Sequence, residues 1–396
     1  MAIPADKRSN LCLIAVILVP LVLCGRDAFF ATAAQSEHRS DKTRSATQPQ
    51  RKKPASSPTP TPTPKRSLLD SLGEPPPPLP TRPEKTEPEI SPGDIVKVET
   101  TEVMLPVTVR DTNGRLVSDL TRTDFRVFED NSEQPLRDLA LRQVPVDAIL
   151  MVDTSSSTAR NLEDFRRAAA GFADRLAPED RLSLMKFDDT VQLLQDWTTS
   201  RFQLRRALNR IEPGMFTRFN DALMLAAHEQ YGASQSRRAV IVLTDGIDSG
   251  RGATLEAALR ALLEAQVIVY VVSNTEISRA AKQVELASLN SESESARRFN
   301  KLKIEDLNMG LRALDDSEQL LQQLTAATGG RLFKPHSFDA LESTYAEVAE
   351  ELRHQYALYY TPQNKARDGA FRRVRVETTK QNYETHTRIG YFAPRR

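Results

Sequence analysis

Cysteine is nearly missing from this 396-residue chain, which has only Cys12 and Cys24. At most one disulfide can form, so a disulfide-stapled scaffold and a multi-cysteine zinc protein are excluded. Histidine is also scarce. The five residues His38, His228, His336, His354 and His386 are too scattered for a His-Glu-x-x-His or other paired-ligand spacing. No Walker loop or Gly-x-Ser-x-Gly elbow occurs, and Ser183-Leu-Met-Lys186 matches Ser-x-x-Lys only by chance, on a predicted strand instead of at a helix start. An excess of charge of one sign is missing too. With 54 basic and 53 acidic side chains the formal net charge is +1, so the whole chain makes no case for nucleic acid or a membrane surface.

What is present is unevenly placed. Both cysteines lie in one uncharged apolar run of 15 residues, Leu11 to Gly25. Lys7 and Arg8 precede it and Ala31-Thr32-Ala33 follows as a small-x-small cleavage site, the plan of a secretory signal peptide over residues 1–33. The run is shorter than the roughly 20 residues that span hydrocarbon, and an uncleaved N-terminal membrane anchor is the alternative. Either reading predicts a secreted, periplasmic or cell-envelope location. Fourteen of the 24 prolines fall between Pro49 and Pro92, in runs such as Pro75 to Pro78. Proline fixes φ and removes a donor, so residues 34–93 are expected to form a solvated, disordered tether. Residues 35–66 carry +6, which leaves −6 from Ser67 onward. The basic stretch reads as a solubilising spacer or as a contact for an anionic envelope polymer.

Order is expected from Asp94. Val103, Leu105, Val107 and Val109 alternate at period two, Asn113-Gly114 signals a hairpin, and Phe125, Val127 and Leu139 to Val144 suggest further strands. The C-terminal residues 356–396 offer matching strands at Tyr356 to Thr361, around Val374-Arg375-Val376, and at Thr387 to Phe392. A β-rich unit of about 50 residues is small for a core of its own, so the segments 94–144 and 356–396 are predicted to combine into one smaller sandwich-like domain.

Between them, residues 145–355 read as α/β. Ala148 to Val152, Ala239 to Leu243 and Val267 to Val272 are continuous aliphatic runs, the pattern of parallel strands covered on both faces. Helices alternate with them: Leu162, Phe165, Ala169, Phe172 and Leu176 step by three and four, as do Phe338, Leu341, Tyr345, Val348 and Leu352. The predicted fold is an open, doubly wound, mostly parallel sheet, which binds ligands at the carboxyl ends of its strands. Residues 274–318 lengthen one connection with a charged helical or partly disordered excursion. Ala326 to Gly330 reads as a glycine helix stop.

The strand ends carry the most specific signal. The first buried strand runs into Asp153-Thr-Ser155-Ser-Ser157, a loop before a helix holds Thr217, and the central strand ends in Thr244-Asp245-Gly-Ile-Asp248. In this order and context the three segments resemble the von Willebrand factor type A domain, over residues 146 to about 355. With the flanks Leu105 to Gly114, Asp124 to Asp130, Gln355 to Pro362 and Gly390 to Pro394, the layout resembles secreted acidobacterial proteins related to that family. The resemblance implies a metal-ion-dependent adhesion site (MIDAS), with Ser155, Ser157 and Thr217 as direct ligands and Asp153 and Asp245 direct or water-bridged. It also implies an open position that accepts a carboxylate from a partner protein.

The donor chemistry agrees with that implication. Two carboxylates and three hydroxyls are hard oxygen donors, which disfavour zinc and copper and favour Mg2+, with Mn2+ or Ca2+ as alternatives. Few charged ligands leave a cation electrophilic enough to accept one more carboxylate. Asp221 reads as stabilising the start of its helix, with a second-sphere role as the alternative, and Asp248 as either solvated or second-sphere. Phe216 stands where the family commonly has a small residue, and reads either as packed on a neighbouring helix or as facing a ligand. The expected function is an extracytoplasmic, metal-dependent protein-binding module without bond chemistry, engaging an unknown protein ligand that presents Asp or Glu. The alternatives are a structural envelope component and a metal-assisted hydrolase.

Overall fold

A computed structural model describes residues 102–141, 144–155, 161–229, 236–248, 252–291 and 293–395. The signal-peptide and tether readings of residues 1–93 lie outside the described residues, as does Ser157.

The middle of the chain is an α/β unit with a mostly parallel sheet. Strands β5 (Val146–Asp153), β6 (Arg181–Phe187), β7 (Val191–Thr198), β8 (Arg237–Thr244), β9 (Val267–Ser273) and β10 (Leu332–Phe333) lie in the order β10-β9-β8-β5-β6-β7. Only the edge pair β6–β7 is antiparallel. Every residue of β5 and β9 is buried, as continuous aliphatic runs require when helices cover both faces. Alternate residues divide between two cores. Val146, Ala148, Leu150 and Val152 join a cluster with helices α1 (Leu162–Arg175), α2 (Arg201–Leu208) and α8 (Leu341–Arg353). Ile149 and Met151 face the other side, against α3 (Phe219–His228), α4 (Leu255–Glu264) and α7 (Lys301–Thr328).

Helix starts and stops follow local chemistry. Thr254 caps α4 by accepting from the Ala257 amide at 3.2 Å. Helix α7 ends at Gly329, whose φ of +83° is the left-handed stop conformation. The excursion after β9 is mostly helical in its described residues, as α5 (Thr275–Ser291), α6 (Glu294–Phe299) and the first part of α7. Its predicted limit at 318 falls inside α7, because Leu321, Leu324 and Ala327 continue the buried stripe of the same helix.

Two further four-stranded sheets are antiparallel. One has the order β13-β1-β11-β4 and joins β1 (Val103–Asp111) and β4 (Leu136–Leu141) to β11 (Tyr356–Tyr360) and β13 (Tyr383–His386). The other, β14-β12-β2-β3, joins β2 (Phe125–Glu129) and β3 (Ser132–Gln134) to β12 (Phe371–Thr378) and β14 (Gly390–Phe392). Leu105, Val107, Val127, Leu358, Tyr360 and Val376 from both sheets share one core. Within it the buried Glu129 carboxylate accepts from the Tyr360 and Tyr391 hydroxyls, both at 2.8 Å, and lies 3.4 Å from Arg372.

Three local expectations are corrected. The turn at Asn113-Gly114 forms, but its return strand shrinks to a single bridge between Arg110 and Leu116, because β11 and β13 supply the ladders of β1. The strand expected over Thr387 to Phe392 is shortened to β14 from Gly390, because the chain leaves β13 at His386 and crosses to a different sheet. The strand expected from Leu139 starts at Leu136, paired with Tyr360. No helix among the described residues is long and apolar enough to cross a membrane.

Tyr345 of α8 is buried edge-on to Phe165 and Phe172, at 6.1 and 6.0 Å, and its hydroxyl has no hydrogen-bond partner among the described residues. An unpartnered buried hydroxyl costs about 1 kcal/mol or more. Tyr345→Phe is therefore expected to raise the urea midpoint of unfolding. A comparable loss of stability would show that the hydroxyl is satisfied.

Candidate metal centre at the strand ends

The register of β5 against β8 sets Val152 beside Leu243, so both strands end at the same level. Asp153 is the last residue of β5 and fully buried. One of its oxygens, Oδ1, accepts from the Ser155 amide at 2.9 Å, and the other, Oδ2, accepts from the Thr244 hydroxyl at 2.8 Å. The Thr244 oxygen in turn accepts from the Gly246 amide at 2.9 Å. Asp245, 7% exposed, folds back to accept from the Ile247 amide at 3.2 Å. Ser317 of α7 donates to the Asp245 carbonyl. Gly246 has φ +71°, and a Cβ there would stand 2.7 Å from the Ser317 hydroxyl, so the turn that holds Asp245 requires glycine.

A second set of contacts positions the hydroxyl loop. Thr154, between Asp153 and Ser155, donates from its hydroxyl to Asp188 at 2.9 Å, and its carbonyl accepts from the Gly214 amide at 2.7 Å. A Cβ on Gly214 would lie 2.4 Å from that of Asp188, so glycine lets the loop close onto it. This brings the segment carrying Thr217 against the Asp153–Ser155 turn. Ser155 and Thr217 are both buried. Burial acts to raise the Asp188 carboxyl. The hydrogen bonds from Lys186 at 2.8 Å, the Thr190 amide and Thr154 outweigh it and hold the group below its ordinary value.

The two outer aspartates tie down α3. Asp248 accepts from the Phe219 amide at 3.2 Å and from the Asn220 side chain at 2.6 Å, at the first turn of the helix. Asp221 accepts from the Ala253 amide at 2.8 Å and lies 3.4 Å from Arg218, so it joins α3 to the loop after β8. Phe216 and Met215 are 59% and 72% exposed, which corrects the expectation that Phe216 packs on a helix. The motif reading missed Thr244, Thr154, Asp188, Lys186 and Ser317. Thr244, immediately before Asp245 at a strand end, could have been found from the strand pattern. The others are brought in by tertiary contact.

Among the described residues no group of three or more His, Cys, Asp or Glu side chains is placed to hold a metal. A cation at this point would rest on two carboxylates and on hydroxyls, a donor set that fits a hard divalent ion. The electrostatics favour positive charge. Burial, followed by the neighbouring Asp245 charge, pushes the Asp153 carboxyl up to about 6, against hydrogen bonds from Ser155 and Thr244 that lower it.

Residues 148–247 match the family model of the von Willebrand factor type A domain, and the chain carries such a domain. Among solved structures it is similar to proximal thread matrix protein 1 from the mussel byssus, at 15% identity and TM-score 0.39 over 57% of this chain and 51% of that one. The chain thus spans about half the length of the mussel protein, one structure of which has a zinc-occupied MIDAS motif. It is similar also to the conserved hypothetical protein BatB from Bacteroides thetaiotaomicron, at 16% identity and TM-score 0.35 over 52% of this chain and 99% of that one. A von Willebrand factor type A protein from Catenulispora acidiphila shares 11% identity at TM-score 0.38, over 75% of each chain. No curated protein matches the chain.

The raised Asp153 carboxyl makes the metal-free protein pH-sensitive with a defined sign. The folded state holds this proton more tightly than the unfolded state, so the associated stability is present below the ordinary value of 3.8 and lost as pH rises through about 6. The full difference is about 3 kcal/mol, at 1.36 kcal/mol per unit. In chelator, wild type should lose stability relative to Asp153→Asn between about pH 4 and 6.5 in denaturant unfolding. A constant difference between the two proteins would contradict the raised carboxyl.

Proposed function

We propose that the strand-end site is a MIDAS-type centre in an extracytoplasmic, metal-dependent protein-binding module. The observation that carries this reading is the buried Asp153 next to Asp245, surrounded by hydroxyl and amide donors at the carboxyl ends of β5 and β8. Ser155, Ser157 and Thr217 would supply neutral oxygens and Asp153 and Asp245 the charge, holding a divalent cation, Mg2+ first and Mn2+ or Ca2+ next. The bound ion would supply an electrophilic position for a carboxylate. The work of the chain is to hold these oxygens in place: Thr244 orients Asp153, Asp188 fixes Thr154, and Ser317 fixes the Asp245 backbone.

The partner on this reading is a protein that presents Asp or Glu, and no bond is made or broken. Met215 and Phe216 stand exposed two residues and one residue before Thr217, where an approaching partner would meet them. The N-terminal apolar run and small-x-small site support export, and the basic proline-rich stretch supports contact with an anionic envelope polymer.

The cation requirement is tested by thermal unfolding. Mg2+ at 100 times its dissociation constant should add about 2.7 kcal/mol of stability to wild type, and much less to Thr217→Ala. Identical melting curves in chelator, Mg2+, Mn2+ and Ca2+ would remove the proposal.

A further inference from the structure

Away from the strand ends, a cavity of about 270 Å³ opens on the β14-β12-β2-β3 sheet, lined by Phe128, Asn131, Phe371, Arg373, Val374, Arg375 and Ile389. Residues 371, 373 and 375 alternate along β12 and so share one face. Phe371 is buried and anchors the floor. Its ring lies 5.0 Å from Phe392, which in turn sits 4.3 Å beneath the guanidinium of Arg260 in α4. Phe128 and Ile389 are half-buried and complete an apolar wall.

The rim carries arginines. Arg375 stacks on Phe128 at 4.3 Å and pairs with Glu377, while Arg126, 5.4 Å over the same ring, is held by two bonds to Glu133. These contacts fix the Phe128 ring between two guanidinium groups and use both charges locally. Arg373 also lines the mouth; its guanidinium forms no close ion pair among the described residues, and its nearby opposite charge is the Asp130 carboxyl, which it acts to lower. Its backbone is fixed, because the Asp130 side chain accepts from the Arg373 amide at 2.9 Å within the tight β2–β3 turn, where Asp130 and Asn131 have φ of +46° and +68°.

We infer that this cavity is a binding site for a small amphipathic carboxylate, an aromatic or branched aliphatic acid the size of one amino-acid side chain. Its apolar body rests on Phe128, Phe371 and Ile389, and its carboxylate meets Arg373. Two considerations select that class. The volume lies just under the roughly 300 Å³ at which drug-sized pockets begin, so it admits one ring and little more. A planar guanidinium at the mouth matches a carboxylate through two parallel hydrogen bonds, whereas a cation would be repelled and a neutral apolar molecule would gain nothing from Arg373. The site uses none of the strand-end residues and stands or falls independently of the metal reading.

The same chemistry is presented by a free aromatic acid and by a peptide ending in phenylalanine, and both are used as probes on the full chain. Calorimetric titration with 3-phenylpropionate should show saturable binding in the millimolar range. The neutral 3-phenylpropanol should bind at least about tenfold more weakly, as loss of a charge-assisted pair implies. Arg373→Gln should lose the same factor. Arg205→Gln, on α2 away from this sheet and paired with Asp174, should keep the acid affinity, with unchanged melting curves showing that both variants fold. Tighter binding of N-acetyl-Gly-Phe than of 3-phenylpropionate supports a peptide end as the natural source, and the reverse order supports a free acid. Equal affinity for acid and alcohol, undiminished binding by Arg373→Gln, or no saturable binding of the acids would overturn the inference.

Discussion

Two carboxylates taken out of water at adjacent strand ends are the constraint on which the site depends. Asp153 and Asp245 sit where β5 and β8 stop, and like charges held in a poorly solvated place are unfavourable unless a proton or a cation joins them. The surrounding residues act to keep that arrangement and to prevent its relaxation. Thr244 and the Ser155 amide engage both oxygens of Asp153, the glycine turn at 246 lets α7 close on the Asp245 carbonyl, and Asp188 secures the intervening Thr154. The sheet supplies the rigidity, since both strands are buried on each face and cannot shift register without moving two cores at once.

The antiparallel sheets are fastened to this unit by buried and half-buried polar groups. Gln355, between α8 and β11, donates to the Tyr270 hydroxyl at 2.8 Å, and Arg237 reaches the Val144 and Leu352 carbonyls at the base of β8. Arg388, buried, donates to Gln266 between α4 and β9 at 3.5 Å and to the Met104 carbonyl of β1 at 2.8 Å, and burial lowers its guanidinium to about 10. Arg110 pairs with Glu351. Such groups cost more to separate than apolar contacts of equal area, because each would be left buried and unpaired. They hold the flanking strands and the α/β unit in one orientation.

The fold was legible where a local pattern and its burial coincide. The aliphatic runs at 148–152, 239–243 and 267–272 fit strands covered on both faces, and the three-and-four spacing of Phe165, Ala169 and Phe172 fits one buried helical stripe, as the structure has them. Asp153, Ser155 and Asp245 were readable as strand-end positions because Asp153 directly follows such a run and the other two lie within three residues of one. Lys186, Asp188 and Ser317 were not, since they reach the site from β6, the turn after it and a helix 72 residues beyond Asp245. Asn113-Gly114 misled for a related reason. A turn sequence specifies the turn, but the partner of β1 is decided by which strands bury its apolar face, and these come from the other end of the chain. Phe216 failed in the opposite sense, because an aromatic beside a buried threonine gives no local sign of whether it turns inward or out.

The direct measurement of the central claim is anomalous scattering from crystals grown in Mn2+. A single strong peak at the carboxyl ends of β5 and β8, within coordination distance of oxygens from Ser155, Thr217 and Asp245, is the predicted result. Crystals that hold manganese elsewhere, with no density between Asp153, Thr217 and Asp245, would contradict it.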